Sequence, residues 1–257
     1  MKARELLGTE VVAVEESLAL SEAHSRMAAA GIHHLPVVRG RELVGIFTER
    51  DLLFHRAEQP DDASATVGSV MTAPVRTAKP DDELAELGRR MLLERIGCLP
   101  IVDAEGGLLG IVTRSDVIAA HSLSSVPENP SARELMTRRP ATALQKEPLG
   151  VAAERMSRLG VRHLPVVDAA GTLVGMLSDR DVRSRLGRAS PPGSLEEEVG
   201  VVMSAPALSV AEETPASTVA RLLLRHGIGA VPVVDPSRRL VGIISYVDLL
   251  RRQAERR

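Results

Sequence analysis

Tryptophan is absent from this chain, and its aromatic side chains number three: Phe47, Phe54 and Tyr246. That scarcity removes the stacking platforms on which single-stranded nucleic acids are held. No sign of charge dominates either. Lys and Arg total 32 against 34 Asp and Glu, for a formal net charge of −2, and Arg and Glu are mixed along the chain. Binding to a phosphate backbone demands a basic face, so a dedicated nucleic-acid binder is not expected. Cysteine occurs once, at Cys98. An internal disulfide and a thiolate cluster are thereby ruled out, which fits a reducing compartment. The seven histidines are scattered, with no His-x-x-x-His pair to hold a metal. Long apolar runs are missing too: none approaches the roughly 18 residues of a membrane-spanning helix. The opening MKARELLGTEVVAVEE places acids where a signal peptide needs an unbroken apolar core. A cytoplasmic location is expected.

What the chain does have is repetition. GIHHLPVV begins at Gly31, RIGCLPIV at Arg95, GVRHLPVV at Gly160 and GIGAVPVV at Gly227. Their prolines, Pro36, Pro100, Pro165 and Pro232, are spaced 64, 65 and 67 residues apart. A second phrase follows each: GIFTERDL from Gly45, GIVTRSDV from Gly110, GMLSDRDV from Gly175 and GIISYVDL from Gly242. A third precedes three of the copies, as VMTAP at 70–74, LMTRRP at 135–140 and VMSAP at 202–206, with only the weaker LLGTE at 6–10 ahead of the first. Phrases in register over a period this long mark small domains rather than solenoid repeats.

Each copy reads as strand–helix–strand–strand–helix. A stretch such as DDELAELGRRMLLERI (81–96) is apolar near every third or fourth position, as a helix requires. The proline phrase is a Val- and Ile-rich strand, and turns such as RGRE or DAEGG make it a hairpin with the strand that follows. A domain of this size buries too little surface alone, so neighbours are expected to pair. The letters before Leu-Pro or Val-Pro alternate accordingly: His33–His34 and Arg162–His163 in copies one and three, Gly97–Cys98 and Gly229–Ala230 in two and four. That reads as a two-copy module duplicated once. The expected boundaries are 1–58, 65–122, 130–187 and 197–254, with modules at 1–122 and 130–254. The loosest segments are HSLSSVPENPSA (121–132) and RASPPGSLEEEV (188–199). GGLLG at 106–110 resembles half of a dinucleotide fingerprint but falls in a hairpin, not before a helix. With no nucleophile elbow, phosphate loop or paired carboxylates, a catalyst is not expected.

Taken together, these phrases resemble the CBS (cystathionine-β-synthase) domain family, and the resemblance covers almost the whole chain. It implies an α+β fold of four tandem CBS domains, paired into two Bateman modules that form a disc-like assembly. It further implies adenosine-containing ligands in the cleft between paired domains: AMP, ADP or ATP, with S-adenosylmethionine as an alternative and no obligatory cofactor. Such modules regulate another protein, which for this chain is unidentified.

Specific residues follow. Thr48 and Asp51, Thr113 and Asp116, Ser178 and Asp181, and Ser245 and Asp248 have the spacing of a capped helix start, worth about 1 kcal/mol per helix. By the resemblance, the same aspartates accept hydrogen bonds from ribose hydroxyls, with the Ser or Thr near ribose or phosphate. Both roles are compatible, since a carboxylate has two oxygens. His33, His34, Arg162 and His163 are phosphate candidates, or else plain solvent-facing side chains. The small residues of copies two and four leave room for backbone approach or for the sugar. Arg50, Arg114 and Arg180 are secondary phosphate candidates. Thr77, Thr142 and Ser209 occupy one position of the first strand, where a polar contact or ordinary strand propensity accounts for them equally. The rival to a nucleotide sensor is a ligand-free dimerisation or docking scaffold. A homodimer of whole chains is one way to cover the remaining helical faces.

Overall fold

The computed structural model describes residues 1–8, 11–59, 62, 64–123, 129–185 and 193–254. Two compact units divide the chain, Met1–Val117 and Ile118–Arg257. Residues 124–128 of the first loose segment and 188–192 of the second lie outside the described residues.

In the first unit, a 3-10 turn at Ala3–Leu6 precedes β1 (Val14–Glu15), α1 (Leu20–Ala30), β2 (His34–Arg39), β3 (Glu42–Thr48) and α2 (Glu49–Glu58). The second copy supplies α3 (Val67–Val70), α4 (Leu84–Leu93), β4 (Cys98–Val102), β5 (Leu108–Thr113) and α5 (Arg114–Leu123), within which the boundary between the units falls. The second unit repeats the plan with α6 (Ala132–Leu135), β6 (Thr137–Arg138), β7 (Ala143–Leu144), α7 (Leu149–Leu159), β8 (His163–Val167), β9 (Leu173–Ser178) and α8 (Asp179–Arg185). Its last copy is α9 (Val199–Val202), β10 (Val210–Ala211), α10 (Ala216–His226), β11 (Ala230–Val234), β12 (Leu240–Ser245) and α11 (Tyr246–Ala254). The expected strand–helix–strand–strand–helix order is present. The first strand runs parallel to the proline strand, and the two later strands pair antiparallel. In the second copy a single bridge, Ala78 to Ile101, stands in for the first strand.

Thr77, Thr142 and Ser209 sit one residue ahead of these first-strand contacts rather than within them. Two of their backbone carbonyls are held from the following helix: Arg90 donates to Thr77 O at 2.9 Å, and Arg155 to Thr142 O at 2.6 Å. Helices α1, α7 and α10 end on glycines with φ near +60°, Gly31, Gly160 and Gly227. At the corresponding place Arg95 adopts φ 56°, a left-handed conformation that an L side chain takes only at a cost.

The opening phrases do not pack on their own copies. Each reaches across to its neighbour within the unit. Thr72 exchanges both backbone hydrogen bonds with Ile46, and Ser204 does so with Met176. β6, from the third copy, adds a strand to the fourth copy's sheet beside β12. The methionine ahead of each bridge lies on a glycine of the neighbour's second strand: Met71 on Gly45, Met203 on Gly175 and Met136 on Gly242. Leu7 does the same on Gly110. The weak opening phrase of the first copy is therefore a full participant, with leucine in place of methionine. A side chain on any of these glycines would occupy the space the sulfur or methyl now fills.

Beneath the sheets each unit has its own apolar core. Leu35, Val37, Phe47 and Met27 anchor one cluster in the first unit, and Leu164, Val166, Leu177 and Leu149 one in the second. These are the inward residues of the hairpins and the buried faces of α1 and α7.

Candidate functional site

The hairpin register places the variable letters and the helix caps together. His34 pairs with Thr48, Cys98 with Thr113, His163 with Ser178 and Ala230 with Ser245. The following helix is tied back to the same corner: Asp179 N donates to Arg162 O at 2.8 Å, Arg114 N to Gly97 O at 3.1 Å and Tyr246 N to Gly229 O at 3.2 Å. A strand start, a strand end and a helix N-terminus thus converge four times.

All four caps are made. Asp51 Oδ2 accepts Thr48 N at 2.8 Å and Thr48 Oγ1 at 2.7 Å. Asp116 accepts the equivalent pair from Thr113 at 2.7 and 2.7 Å. Asp181 takes them from Ser178 at 2.8 and 2.6 Å, and Asp248 from Ser245 at 2.7 and 2.6 Å. Each hydroxyl gives its one proton to the carboxylate, so toward any ligand it can only accept. Each cap uses only Oδ2 of its carboxylate. Among the described residues, Oδ1 of Asp51, Asp116 and Asp181 accepts no hydrogen bond, whereas Oδ1 of Asp248 lies 3.4 Å from the Thr137 hydroxyl of the preceding copy's opening segment. That distance is long for a hydroxyl donor. The four aspartates are half-buried rather than sealed in the core.

The variable letters turn out to be complementary within each unit. A Cβ on Gly97 would come within 2.5 Å of His34 Nε2, and one on Gly229 within 2.7 Å of His163 Cε1. The small residue of the even copy is the notch into which the odd copy's histidine fits. The room expected there for a sugar is filled by imidazole. His33 and Arg162 are exposed, and His33 Nδ1 lies 3.6 Å from Glu49 Oε1. Cys98, at the place of His34, is buried, and burial pushes its thiol up to about 12 against the opposing pull of Arg114. It is a packing residue, not a nucleophile.

His163 is held below the usual histidine range. Burial is the largest cause; Arg162 and Arg180 act in the same direction, while Asp179 and Asp181 oppose them. A depressed folded-state value means that the unfolded chain binds the proton more readily. Stability linked to His163 is therefore complete above its unfolded value and declines as pH falls through the window below it. His163→Gln is expected to flatten the loss of melting temperature between about pH 7 and pH 5. Thermal melts of both proteins across that range check this, and parallel curves would refute it.

An open cleft of about 360 Å³ adjoins Asp181, lined also by Ser184, Arg185, Val201 and Val202. Its volume is in the range of small-molecule sites, about 300–1,000 Å³. The valines come from α9, the opening segment of the fourth copy, and the rest from α8 of the third. Arg185 is clasped bidentately by Glu197 in the approach to α9, which ties the two walls together. Sequence reasoning missed these lining residues because the swapped opening segment carries half of them. The signal was available in the strict register of the methionine phrase. Among the described residues no group of His, Cys, Asp or Glu has the arrangement of a metal site, and no helix is long and apolar enough to cross a membrane.

Residues 3–58, 67–122, 132–188 and 197–255 each match the CBS domain. Over 94% of this chain and 95% of its own length, the protein MJ1225 of Methanocaldococcus jannaschii is 28% identical. The crystal structure of MJ1225, described there as a proposed archaeal homolog of g-AMPK, superposes with a TM-score of 0.82 at 26% identity, covering 98% of this chain and 99% of that one. A conserved protein of Pyrococcus horikoshii shares the fold at 21% identity, with a TM-score of 0.71 and coverage of 98% and 100%.

Proposed function

Because this chain belongs to the CBS domain family, we propose that it is a cytoplasmic regulatory sensor of adenosine-containing ligands, AMP, ADP or ATP, and not a catalyst. One observation carries the reading: Asp181 lines a cleft of about 360 Å³, and its carboxylate completes a helix cap through Oδ2 while Oδ1 accepts no hydrogen bond among the described residues. A ribose presents vicinal hydroxyls, both donors, to such an oxygen, and hydrogen bonds to a charged acceptor are among the stronger ones. Asp51 and Asp116 make the same cap through Oδ2 in the first unit. Arg162 and His33, with Arg50 and Arg180 in the first helical turn, are the phosphate ligands of this proposal, and Thr142 and its counterparts Thr77 and Ser209 are polar neighbours of the base. Apolar contact with the base contributes on the order of 2–3 kcal/mol for about 100 Å² buried. The similarity to MJ1225 supports a regulatory rather than a metabolic role.

Ligand and protein partner are linked through the swapped openings. A nucleoside held by α8 of one copy and α9 of the next alters the angle between copies, and a coupling of about 1–3 kcal/mol changes the affinity of a regulated protein severalfold. Self-association of whole chains offers the same leverage.

A ligand-free docking scaffold is the second reading, favoured by the fact that every aspartate already has a structural role in its cap. Calorimetric titration of the whole chain with AMP, ADP, ATP and S-adenosylmethionine separates the two. Micromolar binding of a nucleotide, accompanied by a rise in melting temperature, is expected. Tighter binding of S-adenosylmethionine would replace the nucleotide within the same reading, and no binding by any of the four below millimolar would leave the scaffold.

A further inference from the structure

The surroundings of the four caps are not copies of one another. At the Asp181 cleft the wall from α9 is Val201, 70% exposed, and Val202. Carried by the repeat register to the fourth copy, these positions are Glu134 and Leu135 of α6, opposite Arg251 and Arg252 of α11. Glu134 is fixed there: its Oε2 accepts Ser131 N at 2.7 Å and Ser131 Oγ at 2.9 Å. Those bonds, with the charge of Arg252, hold its carboxyl below the usual range. In the first unit the corresponding places are Ser69 for Asp51 and Glu5 for Asp116. Both even copies therefore meet a glutamate where the third copy meets an exposed valine.

The placement of the basic residues differs as well. Arg162, Arg180, Asp179 and Asp181 all lie close enough to His163 to act on its titration. In the fourth copy the places of Arg162 and Arg180 are Gly229 and Val247. Asp181 Oδ1 accepts no hydrogen bond among the described residues, while that of Asp248 faces Thr137.

From these differences we propose that the second unit binds a phosphorylated purine nucleoside in the Asp181 cleft in preference to its Asp248 counterpart, with Val201 as the residue that decides the choice. An aromatic ring laid on Val201 loses water from both surfaces, which is favourable. The same ring laid on a glutamate strips water from a charge, and the phosphate that follows is repelled by it. Arg162 and Arg180 give the third copy a preference for anionic ligands that Gly229 and Val247 withhold from the fourth. The proposal rests on the adenosine-ligand reading above and adds to it which cleft is used and why.

The test uses the full chain carrying Asp51→Asn and Asp116→Asn, so that calorimetry with AMP and with adenosine reads the second unit. One AMP per chain is expected. Val201→Glu should weaken AMP at least tenfold, and because residue 201 is exposed, the change is compatible with an unaltered fold. Arg180→Ala should weaken AMP by a similar factor while changing adenosine affinity less than twofold. Unchanged AMP affinity in Val201→Glu overturns the proposal. So does loss of the site with Asp248→Asn and not with Asp181→Asn. Should the parent bind no AMP while the unaltered chain does, the allocation fails and the adenosine reading stands. Should the unaltered chain bind no adenosine ligand, both fail.

Discussion

Gly45→Ala is expected to destabilise the first unit by about 1–3 kcal/mol, the usual cost of forcing an extra carbon into a filled space. The new methyl would run into Met71 Sδ and lie 2.7 Å from Met71 Cγ, so the methionine must leave its seat on the strand. That seat is next to the paired bonds between Ile46 and Thr72, 3.1 and 2.9 Å long, which join the two copies. In a chain of this size each kcal/mol corresponds to a melting shift of about 2–4 °C. The decisive comparison is with Met71→Ala. Alone, that change loses the packing of the thioether; on top of Gly45→Ala it removes the obstacle. All three nearest atoms at Gly45 belong to the Met71 side chain, so relief should be nearly complete. A double-mutant cycle in denaturant should give a coupling of about 1 kcal/mol or more, and additive effects would show that the methionine does not hold the glycine in place.

That clasp marks the limit of what could be read from the letters. The four hairpins, their turns and their caps were legible because the relevant interactions are local. Pro36 and Gly45 fall in paired strands nine residues apart, and Thr48 and Asp51 are three apart on one helix start. The placement of the opening phrases was not legible. Nothing in VMTAP says which of two similar sheets it will join, because Gly45 and Gly110 present nearly the same groove. The choice is set by tertiary closure: Ala3 N bonds to Asp82 O at 2.9 Å, and Leu20 N to Ala65 O at 3.2 Å, so each opening segment is fastened to the other copy's first helix as well as its hairpin.

In the sequence the alternation of the variable letters reads as a two-copy module duplicated once, with the basic letters as phosphate candidates. Its physical meaning is steric. His34 and His163 need the absence of a side chain opposite, and Gly97 and Gly229 provide it. Of the four basic letters, His33 and Arg162 are exposed while His34 and His163 are half-buried. The cap aspartates were assigned two roles, and the geometry keeps those roles compatible by giving the cap to Oδ2 alone. The Asp181 cleft could not be read from either phrase, since its walls come from two copies.

The separation of cap from ligand contact yields the second large effect, at Asp181. Asp181→Glu keeps a carboxylate at the third helical position, where glutamate is the common partner in a capping box. Stability should stay within about 0.5 kcal/mol of the parent, the range of benign surface changes. The carboxylate is nonetheless carried one methylene farther, so its second oxygen no longer lies where Asp181 Oδ1 does beside the cleft. Losing hydrogen bonds to a charged group costs about 1.5–3 kcal/mol, so AMP affinity should fall roughly tenfold to more than a hundredfold. Asp181→Ala removes both functions and should lose the same affinity together with about 1 kcal/mol of stability. Melting temperature and calorimetric affinity, measured side by side on the two variants, pull the roles apart. A scaffold predicts that Asp181→Glu is silent in both measurements, and that result would leave the aspartate as a cap and nothing more.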